Sequence, residues 1–206
     1  MRRSALIAIV MAASVGLFLV ARGERTQPAA TTQAEPVKTV ESQLDELGRI
    51  ASLLVDGEIA MDIVTDRAAK LMFRKDPNDE WAGSDNYDVN FEPFIQTKRL
   101  LIRLERLVDF PVNCNLWLRC KERPDLVHMV IRQNPGWSQF YAWAMQYTEP
   151  TSEMTRVLEK GERVFVRAKP PRDEIVVLAP VRDSLGDVVG FVEVVTRQRA
   201  LAAAGR

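Results

Sequence analysis

"EIVVLAPVRDSLGDVVGFVEVVTRQ", residues 174–198, is the stretch on which the fold turns. Two apolar runs, 174–181 and 188–195, flank the polar connection "RDSLGD". Runs of this length bounded by turn residues read as strands, and the short link makes them a hairpin. Asp183, Gly186 and Asp187 form the turn, with the Asp183 carboxylate bonding its own backbone. Both runs are almost wholly apolar, so the pair is expected at the centre of a sheet.

Working backwards, residues 162–168 read as a third strand, joined to the hairpin by "KPPRD". "CNLWLRC", residues 114–120, alternates: Leu116 and Leu118 face one way, Asn115, Trp117 and Arg119 the other. "LVHMVIRQ", residues 126–133, is its partner across the turn Lys121–Asp125. Between these strands and the last three, "NPG" is a loop and the aromatic run "WSQFYAWAMQY" is expected to be helical. Met154, Val157 and Leu158 mark a short helix that Gly161 ends.

Helices precede the sheet. Asn90 is placed to cap one that carries Pro93 in its first turn, buries Phe94, Leu101, Leu104 and Val108, and stops near Phe110–Pro111. A polar, breaker-rich loop covers 74–90. Before it, Val40, Leu44, Leu47, Ala51 and Leu54 repeat with heptad spacing, and the rhythm runs on through Met61, Val64 and Ala68 toward Met72. One long helix is expected, interrupted by Glu58 and weakened by Gly48 and Gly57. Two roles stay open for it: packing on its own domain, or pairing with a second copy. The class is α+β, with five antiparallel strands in one sheet and helices mainly on one face.

The chain has 206 residues and 28 basic against 28 acidic side chains. This balance gives no reason to expect nucleic acid as a partner. Arg2 and Arg3 precede an uncharged run, Ser4 to Ala21, about as long as the shortest membrane span of roughly 17 residues. "VARGE" is a poor cleavage site, so residues 1–23 read as a transmembrane anchor, with a cleaved signal as the competing reading. The arginines put that end in the cytoplasm. The expectation is a single-pass inner-membrane protein with its folded domain, 40–198, on the periplasmic side. Residues 24–39 are a linker, and 199–206 a frayed end.

The element order resembles the PAS-like fold of extracytoplasmic sensor domains, the Cache group. "VLAPVRDSLGDVVGFVEVV" is similar to their closing hairpin, and the long helix behind an anchor is similar too. The resemblance implies a small-molecule pocket between sheet and helices. Many such domains pass their signal on through a second span, whereas here "TRQRALAAAGR" follows Val195. The module is therefore expected to lack its own output domain. The partners expected are a small-molecule ligand, the cytoplasmic membrane, and a second copy or a membrane protein. The competing reading is a non-catalytic structural or assembly subunit of a membrane complex.

Few residues point to chemistry. Trp137, Phe140, Tyr141 and Trp143 are the densest aromatic cluster, with Arg132 just ahead. An arginine pairs with a carboxylate through two parallel hydrogen bonds, and aromatic groups with a polar edge suit a pocket wall. Arg132, Trp137 and Tyr141 are carried over from the resemblance as the ligand-binding candidates, with Tyr147 and Arg167 added; core packing between helix and sheet is the competing role of the aromatic cluster. His128 is the single histidine and reads as a structural strand residue; no metal site and no cofactor is expected. Cys114 and Cys120 bracket one strand, which fully extended would hold them about 20 Å apart. Buried thiols, or a disulfide that would refute the strand, both stay open. No nucleophile–histidine–acid arrangement, HExxH or phosphate-binding glycine loop is found, so the chain is not read as an enzyme.

Overall fold

The structure is a computed structural model and describes residues 39–74, 88–142 and 145–203. The five strands are β1 (Asn113–Arg119), β2 (Val127–Ile131), β3 (Val164–Arg167), β4 (Glu174–Arg182) and β5 (Val188–Arg197). They form one antiparallel sheet in the order β2-β1-β5-β4-β3. The closing hairpin is inner, with β5 central, as its apolar runs require. At its turn the Asp183 carboxylate accepts from the Leu185 and Asp187 N–H groups, and Gly186 takes the left-handed conformation (φ 91°).

Helices cover both faces, not mainly one. On the first lie α1 (Val40–Leu54) and α4 (Phe91–Glu105), whose Leu44, Leu47, Ala51, Leu101 and Leu104 pack on Leu116, Leu118, Val177 and Val194. On the second lies α5 (Ser152–Lys160), whose Met154, Val157 and Leu158 meet Trp117, Val176, Leu178 and Phe191. Thr151 caps α5, and Gly161 ends it with φ 63°.

The single long helix expected from residue 40 is three helices. After α1, Val55 turns extended, and the Asp56 carboxylate accepts from the Glu58 and Ile59 N–H groups to start α2 (Gly57–Met61). Thr65 does the same for Ala68 at the head of α3 (Asp66–Leu71). The apolar rhythm survives because Val55, Ala60, Ile63 and Ala68 all stay buried; the caps break the helix where the rhythm does not. The glycines are close-approach positions. A Cβ at Gly48 would stand 2.7 Å from Val177 Cγ1, and one at Gly57 would stand 2.4 Å from the Arg182 carbonyl oxygen. The seam positions Leu44, Leu47 and Ala51 are buried in the domain's own core.

Three further expectations are corrected. "WSQFYAWAMQY" is not helical where described: a 3-10 turn, Pro135–Trp137, leads into irregular chain. Residues 199–203, assigned to a frayed end, belong to α6 (Gln198–Ala203), which buries Leu201. The transmembrane anchor finds no counterpart in what is described: no helix among the described residues is long and apolar enough to cross a membrane. The segment read as the anchor, residues 1–23, lies outside the described residues, as does all of the linker but Thr39.

Cys114 and Cys120 are free, buried thiols at the two ends of an extended strand. Burial pushes both up, Cys120 to about 12, so neither is a ready nucleophile. His128 is buried in β2, with Nδ1 lacking a hydrogen bond among the described residues. Burial, and then the charge of Arg132, hold it down to about 4. The unfolded chain takes up this proton near the ordinary histidine value, and the folded chain only near 4. The stability is thus whole above the ordinary value and is lost as pH falls through about 4, by up to roughly 3 kcal/mol. A His128→Leu variant should lose this part of the acid sensitivity. Urea midpoints that fall equally in both proteins between about pH 7 and about pH 4 would contradict it.

Candidate functional site

The second face of the sheet is not wholly apolar. Glu174, at the start of β4, pairs in register with Arg197, at the end of β5. Alternation puts both on the α5 face with Val176 and Val195. Arg197 Nη2 donates to Glu174 Oε1 at 3.0 Å and also to the Gly136 carbonyl. Its guanidinium carbon lies 5.6 Å from the centre of the Trp137 ring. Glu174 is 5% exposed. Two atoms of this ion pair, Glu174 Oε2 and Arg197 Nε, are buried without a hydrogen-bond partner among the described residues.

Above the pair lies an open cleft of about 570 Å³. One wall is the chain from Pro135 to Tyr141. Ser138 holds its bend, its Oγ accepting from the Phe140 and Tyr141 N–H groups at 3.2 Å. The Asn115 Oδ1 of β1 fixes the entry to this wall, accepting from the Gln133 N–H at 3.0 Å. The opposite wall is the β3–β4 turn. There Arg172 Nη1 reaches across to the Gln139 carbonyl at 2.7 Å. Arg199, at the head of α6, forks onto Asp173 with contacts of 2.9 and 3.2 Å. Three guanidinium groups thus line the cleft, and two carboxylates, Asp173 and Glu174, pair with two of them. One positive charge is left in excess among these groups.

Guanidinium groups with donors to spare suit a carboxylate or a phosphate, which accept two parallel N–H bonds. The unfilled Glu174 Oε2 would accept from a donor on the same molecule. Among the described residues no group of three or more His, Cys, Asp or Glu could hold a metal ion.

The structure draws together three of the five candidates. Arg132 is exposed, donates to the Tyr141 hydroxyl at 3.1 Å and stacks on its ring at 4.9 Å. Tyr141 lines the cleft, and Trp137 lies against Arg197. The other two lie elsewhere. Tyr147 packs on Phe73, ring centres 4.7 Å apart, in a small cluster with Cys120 and Leu126. Arg167, on the edge strand β3, pairs with Glu41 of α1. Trp143 lies outside the described residues. Sequence reading missed Arg172, Glu174, Arg197 and Arg199. The available signal was a charged residue at each end of the closing hairpin, brought into register when its strands pair.

A comparison with protein-family models finds no match, and a search of curated proteins finds none either. The membrane-anchored extracytoplasmic sensor expected from the sequence is withdrawn, with its inner-membrane and periplasmic placement and its membrane partners. The described residues form an α+β domain around one five-stranded sheet, with no membrane-crossing helix among them.

Proposed function

We propose that the domain is a binding module for a small organic anion, held in the cleft between the 135–141 wall and the β3–β4 turn. The observation that carries this reading is the buried Glu174–Arg197 pair, with one donor and one acceptor unfilled, under a cleft bearing Arg172 and Arg199. Unfilled buried polar atoms are costly, and a ligand or ordered water that fills them removes the cost. The ligand carries a carboxylate or phosphate for the arginines and a hydroxyl or ammonium for Glu174. The resemblance to PAS-like domains, which bind small molecules beside their sheet, supports the same reading. Binding is proposed rather than turnover: no histidine or cysteine lines the cleft, and Asp173 and Glu174 are tied to arginines.

Thermal shift with a panel of inorganic phosphate, sulfate and short hydroxy-, amino- and dicarboxylates tests this. At least one anion should raise the wild-type melting temperature more than chloride at equal ionic strength. The same anion should have little effect on an Arg172→Ala, Arg199→Ala double variant, which loses the Arg172 bond to the Gln139 carbonyl and the Arg199–Asp173 pair. A panel in which no anion exceeds chloride would count against the proposal.

A further inference from the structure

The driest strand of the sheet carries a second carboxyl that the cleft does not use. Glu193 lies in the middle of β5, fully buried, opposite Leu178. Its Oε2 accepts from Asn115 Nδ2 at 3.2 Å and from Trp117 Nε1 at 3.1 Å, and the Ser138 side chain and the Gln139 N–H also lie against the carboxyl. A leucine here would serve the core without the desolvation that a carboxyl suffers. What the carboxyl adds is a route to the cleft. Asn115, held by Glu193 through its amide nitrogen, uses its amide oxygen to hold the Gln133 and Asn134 N–H groups, at 3.0 and 3.5 Å. Those two residues lead directly into the 135–141 wall. Glu193 itself does not line the cleft.

We propose that Glu193 is a positioning residue for the cleft wall: as a carboxylate it gathers the Asn115 and Trp117 donors, and on taking up a proton it becomes a weaker acceptor for them and loosens residues 133–141. This rests on the anion-binding reading of the cleft. The bonds run one way, since the Asn115 and Trp117 side-chain nitrogens and the Gln139 N–H can only donate to it, and so the network is built around an acceptor. Burial favours the protonated acid and raises the carboxyl, against hydrogen bonds from Trp117, Ser138, Asn115 and the Gln139 backbone. No charged side chain is among the groups that shift it. The core residues of α5 that face this side, Met154, Val157 and Leu158, are apolar. The charged groups on the same sheet face are the paired Glu174 and Arg197 at one end and, at the other, Arg119, which donates to the Leu158 and Val188 carbonyls, and Arg182, which donates to the Gly161 carbonyl. The Cys114 thiol, on the opposite face, is itself held up by burial, then by the Glu105 and Glu193 charges.

The proposal sets two readouts against each other. A carboxyl raised by burial makes the fold less stable as pH rises from the ordinary glutamate value through its raised one. Wall order should change in the opposite sense. Amide hydrogen exchange of Gln133, Asn134, Phe140 and Tyr141, corrected for intrinsic rates, should slow at least about fivefold in the full chain as pH rises from near the ordinary glutamate value across the neutral range. Affinity for sulfate, which does not titrate in this range, should rise with it. Glu193→Gln keeps the shape and removes the charge, and should make both measurements flat. Asn115→Ala leaves the carboxyl with its Ser138 and Gln139 bonds but cuts its link to Gln133 and Asn134, and should flatten the exchange of those two amides. Equal pH dependence in wild type and either variant would overturn the proposal. Sulfate that fails to bind wild type at any pH counts against the binding reading, whereas the exchange measurement still decides the role of Glu193.

Discussion

An Arg197→Met variant should be less stable than wild type by about 3–5 kcal/mol and should bind none of the anions that wild type binds. Methionine keeps much of the aliphatic stem but removes the partner of Glu174, which is 5% exposed. An unpaired buried carboxylate is among the costliest single changes a core can suffer. The Gly136 carbonyl loses its donor and Trp137 its cation at the same time. Urea midpoints measure the loss. Adding Glu174→Gln should restore much of the stability, because the buried charge is gone, and none of the binding. Recovery of binding in that double variant would show that the pair is structural only. A single variant with near wild-type stability would show that the pair is open to water.

Gly57→Ala should cost about 3 kcal/mol, the upper end of the usual overpacking range, for one added methyl group. Its Cβ would stand 2.4 Å from the Arg182 carbonyl oxygen and 2.7 Å from the Asp183 nitrogen. Both are backbone atoms of the β4–β5 hairpin, which cannot turn aside as a side chain can. The start of α2 must lift from the hairpin, and the Asp56 cap goes with it. Gly48→Ala is the control. Its closest neighbour is the side chain of Val177, so the cost should be smaller despite a similar 2.7 Å approach. Thermal melts of the two variants that rank the other way would contradict this account of the helix–sheet contacts.

The strands were readable because each is bounded by turn chemistry and carries apolar residues at the spacing a sheet needs. Leu116 and Leu118 do face one core and Trp117 the other. The helices before the sheet were readable as apolar stripes and not as separate elements. Asp56 and Thr65 cap through side-chain bonds, and nothing in the apolar rhythm marks them apart from other polar positions. The aromatic run after Trp137 misled because aromatic residues pack equally well from a loop, and Ser138 holds that loop by bonding Phe140 and Tyr141. The site was half legible. Trp137 and Tyr141 belong to its wall, but its floor depends on strand register, which places Glu174 opposite Arg197 across the length of the hairpin. Glu193 was equally visible, a lone acid inside "VVGFVEVV", and its meaning depended on finding Asn115 and Trp117 beside it.

The binding claim is tested most directly by residue-resolved amide NMR of the full chain during titration with the strongest anion of the panel. The account predicts saturable shifts gathered on Gly136, Ser138, Tyr141, Arg172, Glu174, Arg197 and Arg199, absent in the Arg197→Met variant. Shifts spread over the surface without saturation, or gathered on a different face such as that of α1 and α4, would contradict it.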